Sequence, residues 1–285
     1  MAESLKYKER FKPGEKKTLW ISRVILWAVI IITMIPIMAV FSASVAKGSG
    51  FGQASIFPKS FTLDNYKHVI FETNFKIWVK NSMIVCFSVA ILQLIMTIPA
   101  AFAFSKMKFK GRKYGLMSLL ILQMFPTVMA LPAILGIAYK FELLDKLWAL
   151  ILIIAVGSAY NIWLMKGYMD GIPTELCEAA HVDGATDIQV MFKIILPLLR
   201  NMIVVIFIFS FISAYSEFMF TSALLKDESA QTLATGLRIF IQDAHAANWT
   251  YYSAGAVMAS IPIVIISVLS QKFIASGLVA GAVKG

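Results

Sequence analysis

GIPTELCEAAHVDGATDIQVMFKIILPLLR, residues 171 to 200, is a polar-to-amphipathic insert set between two strongly apolar stretches. Glu178, Ala179 and Ala180 stand among good helix formers. Gly184 then interrupts the pattern, and Ile188, Met191, Phe192 and Ile195 form a second periodic run that reaches Pro197. Two short helices meeting at Gly184 and lying along a membrane surface account for this pattern. Around Glu178 the two alanines leave little side-chain bulk, so a partner's groove can approach closely. The residues leave two readings open: an element that a soluble partner grips, or an interfacial helix that only anchors the loop.

The rest of the chain is unusually apolar. Its 285 residues are 59% hydrophobic and 15% charged, with a mean hydropathy of +0.77, whereas soluble domains carry about 25% charged residues. Six stretches are long enough to cross a bilayer, which takes about 20 helical residues each. They lie at about 20–45, 77–104, 115–139, 147–165, 201–221 and 253–270. The expected fold is an all-α polytopic membrane protein with six transmembrane helices spread over 20–275, an N-terminal tail (1–19), the loop 171–200 and a C-terminal tail (276–285).

A net charge of +10 would suit a nucleic-acid binder, but its distribution excludes that class. Lys6, Lys8, Arg10, Lys12, Lys16, Lys17 and Arg23 precede or open the first span. Lys106, Lys108, Lys110, Arg112 and Lys113 crowd the turn after the second. Basic residues in alternate short loops are the positive-inside pattern, which puts both termini and the insert in the cytoplasm. The basic start resembles a signal peptide, but its apolar run is too long for one, so a retained anchor in the cell membrane is expected. Cys86 and Cys177 suggest no disulfide framework.

Catalytic material is sparse. His68, His181 and His245 lie outside the spans with no metal-ligand companion at helical spacing, and no P-loop is present, so the chain itself does not hydrolyse nucleotide by that mechanism. Asn81, Ser82, Ser88, Gln93 and Thr97 recur along span two, facing either a polar pathway or hydrogen-bond partners on other helices. Gln123, Pro126 and Pro132 make span three irregular, which fits either a translocation pathway or a structural kink. Ser213 and Glu217 lie on span five, and Glu217 is the one acid clearly near an apolar span. Proton coupling, contact with a polar solute or a neighbouring subunit, and a structural role are all open for it. Gln93, Gln123, Ser213 and Glu217 are therefore the candidate pathway or subunit-interface residues.

The insert strongly resembles the signature of the membrane subunits of binding-protein-dependent ABC importers: EAA, three residues, Gly, nine residues, then I-x-L-P. Here it reads Glu178-Ala179-Ala180, His181 to Asp183, Gly184, Ala185 to Lys193, then Ile194-Ile195-Leu196-Pro197. In LCEAAHVDGAT, Cys177 stands where sugar importers usually have an acid. Further stretches are similar to the MalG-like subunits of maltose and maltodextrin importers. They are Asn81-Ser82, AFAFSKMKFKG (101–111), ILQMFP (121–126), MKGYMDGIP (165–173), SFISAYSEF (210–218) and GLVAGAVKG (277–285).

The resemblance implies a type I importer permease that pairs with a second, homologous permease and two copies of a cytoplasmic ABC ATPase. An extracellular or lipid-anchored solute-binding protein would deliver the solute. ATP and Mg²⁺ would be used by the ATPase, with no cofactor, metal or catalytic residue on this chain. Glu178, Ala179, Ala180, Gly184, Ile194, Leu196 and Pro197 would couple to the ATPase, and Gly281, Lys284 and Gly285 would reach its interface. The loop about Phe240 to Trp249 would approach the binding protein. The implied solute is maltose, maltodextrin or a related oligosaccharide, with a galactooligosaccharide or glycerol phosphate as alternatives. An ion-coupled secondary transporter is the competing class.

Overall fold

In lipid, a backbone can satisfy its own polar groups only as helices or closed barrels. The computed structural model describes residues 15–49, 60–243 and 246–282, and within them every regular element is helical. Three helices are long and apolar enough to cross a membrane unbroken: α1 (Glu15–Ser44), α3 (Phe75–Lys106) and α14 (Trp249–Ala282). A short helix, α2 (Asp64–Phe71), lies between the first two, its start held by the Thr62 hydroxyl, which accepts from Asp64 N at 3.1 Å.

The remaining apolar segments are bent. α4 (Arg112–Gln123) and α5 (Thr127–Lys140) meet at 87° where Pro126 lacks a backbone donor. α6 (Leu147–Ala155) and α7 (Ala159–Asp170) meet at 47°. α8 (Glu175–Val182) precedes α9 (Asp187–Val190), a π-helical turn (Met191–Ile195) and α10 (Leu196–Leu198). That last run turns through 82° into α11 (Arg200–Tyr215). α12 (Met219–Leu224), α13 (Leu233–Gly236) and a 3₁₀ turn (Leu237–Phe240) complete the set. Counting each bent pair as one span gives six.

Several boundaries differ from those read in the sequence. Span four is interrupted at Val156–Ser158, and the helix of span five stops at Tyr215 before resuming as α12. α14 continues through residues 276–282 instead of leaving them as a separate tail, since Ser, Ala and Gly there bring no proline to end it. Gly281 lies on that helix, while Lys284 and Gly285 fall outside the described residues, as does His245.

α3 is the central helix, packed against α6, α7 and α11, while α14 packs against both α11 and α1. The interior forms three apolar layers. The innermost holds Phe102, Met165, Met169, Ile195, Leu199 and Met202, and the middle one Val85, Val89, Leu150, Phe211 and Leu224. The outer layer holds Val69, Phe75, Trp78, Leu233 and Ala254. Gly236 lies flat on the Trp78 ring there, where an added Cβ would stand 2.2 Å from Cδ2. α3 is also bonded to the outer loop: Asn81 Nδ2 donates to the carbonyls of Ser229 and Gln231, each at 2.8 Å, and Leu233 N donates to Ser82 Oγ at 2.8 Å. α1 packs mainly on α14 and α4 mainly on α7 among the described helices, and both are exposed along most of their length.

Candidate functional site

The insert is a built surface. α8 ends in a Schellman motif: Ala185 N donates to Ala180 O at 2.9 Å and Gly184 N to His181 O at 3.0 Å. That closure puts Gly184 at φ +84°, a left-handed conformation glycine adopts without steric cost. Nothing lies within 4 Å of where its Cβ would be. Thr186 and Gln189 then form a capping box that starts α9. His181 bridges the two helices, Nδ1 donating to Ala185 O at 2.9 Å and Nε2 lying 3.3 Å from Asp187 Oδ1. The π-helical turn follows, and such turns concentrate at functional sites.

One side of this segment is fastened to the bundle. Cys177, Ala180, Val190, Met191, Ile195 and Leu199 pack on residues of α3, α7 and α11. Burial pushes the Cys177 thiol above its usual range; Lys106 partly opposes this and Glu178 and Asp187 add to it. Polar groups clamp the flanks. Lys106 Nζ donates to Ile172 O at 2.5 Å, Ser105 Oγ donates to Asp170 Oδ1 at 2.7 Å, and Lys166 pairs with Asp170. Arg112 closes the end of α3 by donating to Phe104 O at 2.7 Å and Ser105 O at 2.8 Å.

The other side is bare. Val182 is 88% exposed and Ile188 68%, with Leu176 and Phe192 also open. Glu178, Ala179, Gly184 and Pro197 lie on the exposed side too. Ala180 is buried, and Ile194 and Leu196 are half-buried, Leu196 beside Ile91, Ile95 and Phe192. The structure therefore divides the seven sequence-predicted residues between an outward surface and its internal support. Val182 and Ile188 as its apolar tips were not picked out from sequence, although each is an apolar residue flanked by polar ones, Val182 by His181 and Asp183 and Ile188 by Asp187 and Gln189. The clamp through Ser105, Asp170 and Arg112 was also missed, since its members are far apart in the chain.

The candidate pathway residues do not converge on one cavity. Asn161 Nδ2 donates to Gln93 Oε1 at 2.9 Å and to Ser210 Oγ at 3.1 Å, and Gln93 Nε2 donates to Ile154 O at 3.2 Å. This buried triad spans α3, α7 and α11 and gives the Ile154 carbonyl, at the break in span four, a second donor beside Gly157 N at 3.3 Å. Gln123, exposed at the end of α4, donates to Gly157 O at 3.3 Å in the same break. Glu217 turns back on its own segment. Its carboxylate accepts from Phe220 N at 2.8 Å, from Thr221 N at 2.9 Å and from Thr221 Oγ1 at 2.7 Å, capping the start of α12. Ser213 alone of the four is exposed with no side-chain hydrogen bond among the described residues. No group of three or more His, Cys, Asp or Glu among them is placed to hold a metal ion.

Residues 94–279 match the family described as the binding-protein-dependent transport system inner membrane component. The chain belongs to that family. It is a multi-pass permease subunit of an ABC importer. Within the family it is 35% identical to the maltodextrin transport system permease protein MdxG of Bacillus subtilis, over 90% of this chain and 92% of that one. It is 36% identical to the galactooligosaccharides transport system permease protein GanQ of the same organism, with the same two coverages. Against the maltose/maltodextrin permease MalG of Escherichia coli the identity is 33%, over 95% and 98%. The fold matches a chain in the crystal structure of a bacterial ABC transporter that imports the acidic polysaccharide alginate. That TM-score is 0.76 at 22% identity, covering 92% of this chain and 98% of that one. A chain of the inward-facing MetNI methionine transporter gives 0.57 at 18% identity, covering 70% and 94%.

Proposed function

We propose that this permease forms half of a translocation pathway for a maltodextrin-type oligosaccharide. Its partners would be a second, homologous permease, two copies of a cytoplasmic ABC ATPase and a solute-binding protein outside the cell. ATP and Mg²⁺ would act in the ATPase, and this chain would convert their cycle into alternating access.

The observation that carries the reading is the bare side of the insert. A segment held by a Schellman motif, a capping box and a polar clamp is rigid, yet it presents Val182 and Ile188 to solvent. Ordering apolar side chains outside any core costs entropy with no internal return, which points to an external partner. Glu178, Ala179 and Gly184 would meet the ATPase. Ala180, Ile194 and Leu196 would hold the docking surface to the bundle, Pro197 would lie on its outward side, and the helical end near Gly281 would extend toward the same partner. Glu217 is spent on capping α12, which disfavours it as an ion carrier.

Purification of the tagged chain from its native membrane in mild detergent tests this. The expected result is co-recovery of a P-loop ATPase, a second permease and a solute-binding protein whose melting temperature rises with maltotriose. A rise with galactobiose alone would move the solute to the galactooligosaccharides. Recovery of the chain alone, transporting in liposomes without ATP, would overturn the reading.

A further inference from the structure

A hollow of about 670 Å³ opens between α4 and α7 at the basic end of the bundle. Arg112, Lys113 and Lys166 stand in its lining, and Leu116, Leu120 and Trp163 continue it. No carboxylate lines it among the described residues. Lys166 is occupied by Asp170, and Arg112 spends two of its donor nitrogens on α3 carbonyls. Lys113 is exposed and its side chain makes no hydrogen bond or ion pair among the described residues, so a charge stands unspent at the mouth.

The lining is graded. Arg112, Leu116 and Leu120 lie four residues apart on one stripe of α4. That stripe runs about 12 Å along the helix at 1.5 Å per residue. Positive charge thus sits at the cytoplasmic end, and an apolar wall rises from it toward the middle of the span. Trp163, on α7, adds an amphipathic ring of the kind found at membrane interfaces. A sugar would find few hydrogen-bonding groups along that wall, and a free phosphate would leave it empty. A headgroup phosphate joined to an acyl chain satisfies both ends.

We propose that this hollow holds an anionic phospholipid of the cytoplasmic leaflet. Its phosphate sits at Lys113, and its chain lies along Leu116, Leu120 and Trp163. The bound lipid would brace α4, a helix with no buried residue of its own, against the clamp below the insert.

The test uses the full chain in its assembled importer, in nanodiscs of phosphatidylcholine carrying a minor fraction of chain-brominated lipid. Tryptophan quenching is compared between wild type and Trp163→Phe, so that the difference isolates Trp163. Brominated phosphatidylglycerol is expected to quench that component about fivefold more effectively than brominated phosphatidylcholine, the preference that one lysine near the surface confers. Lys113→Gln, at an exposed position without partners, should bring the two lipids level. Equal quenching by both lipids in the wild type, a preference that survives Lys113→Gln, or no quenching of Trp163 at all would each overturn the proposal.

Discussion

Gly184→Trp separates docking from folding. The residue stands at φ +84° with nothing within 4 Å of its Cβ position. A side chain there pays about 1–2 kcal/mol for the left-handed conformation but meets no atom of its own chain. The partner is another matter. Fully burying the exposed Val182 and Ile188 would be worth about 1.5–3 kcal/mol each, and an indole at the turn between them in the chain would hold a docking surface away. Losing only 1.4 kcal/mol of that sum is about tenfold in an equilibrium. Uptake by proteoliposomes containing ATP, with membrane yield and melting in detergent as controls, is the assay. The tryptophan variant is expected to insert normally and to lose at least about tenfold in uptake and in ATPase retention. Gly184→Asn, which tolerates the left-handed conformation, should stay close to wild type. Full uptake by Gly184→Trp would refute the docking argument. Equal losses in both variants would refute it too, by assigning the effect to backbone strain.

Other outcomes follow from the internal contacts. Gly236→Ala would drive a methyl into the Trp78 ring and should destabilise the outer layer by about 1–3 kcal/mol, read as a lower melting temperature; in a Trp78→Leu background the same substitution should cost much less, and an equal cost there would discount the clash. Asn161→Ala leaves Gln93 Oε1 and Ser210 without their donor and should cost about 1–2 kcal/mol on a detergent unfolding curve, whereas an unchanged curve would deny the triad a structural role. Glu217→Gln removes one acceptor oxygen from the start of α12, so stability should fall by about 1–2 kcal/mol while uptake stays indifferent to a protonophore. Uptake driven by a proton gradient and abolished by that substitution would reverse the assignment. Because burial raises the Cys177 pKa, the neutral thiol adds stability that is fully present below the unfolded value of about 8.5 and fades as pH climbs through the folded one. Iodoacetamide should therefore label Cys177 slowly at about pH 8 in the native protein and quickly after denaturation in dodecyl sulfate, and fast native labelling would contradict its burial.

The insert was legible because its determinants are local. Glycine at the left-handed position, threonine before the second helix and proline at the exit are short-range signals, and the break before α5 announces itself through Pro126. The break at Val156–Ser158 carries no proline. It is sustained by Gln93, 61 residues away, which takes up the Ile154 carbonyl. Glu217 was left open as an isolated acid beside an apolar span, since its partners, the amides three and four residues on, come within reach where the helix stops at Tyr215. Polarity in the sequence marked these positions correctly. Which polar groups pair with which depended on how the helices are arranged around α3.

α3 is bonded near both of its ends to segments far from it in the chain. Near one end Asn81 and Ser82 hold the loop from Ser229 to Leu233, and at the other Ser105 and Lys106 hold Asp170 and Ile172. Asn81 and Lys106 stand about 38 Å apart on a single helix rising 1.5 Å per residue. The two faces of the protein are thus joined by a strut, and a free-energy coupling carried along it has no preferred direction. If an ATPase at the insert shifts the outer loop by some factor in its affinity for a visiting protein, that visitor must alter the grip on the ATPase by the same factor. A loaded binding protein outside would in this way be felt by the ATPase inside, before any solute has crossed.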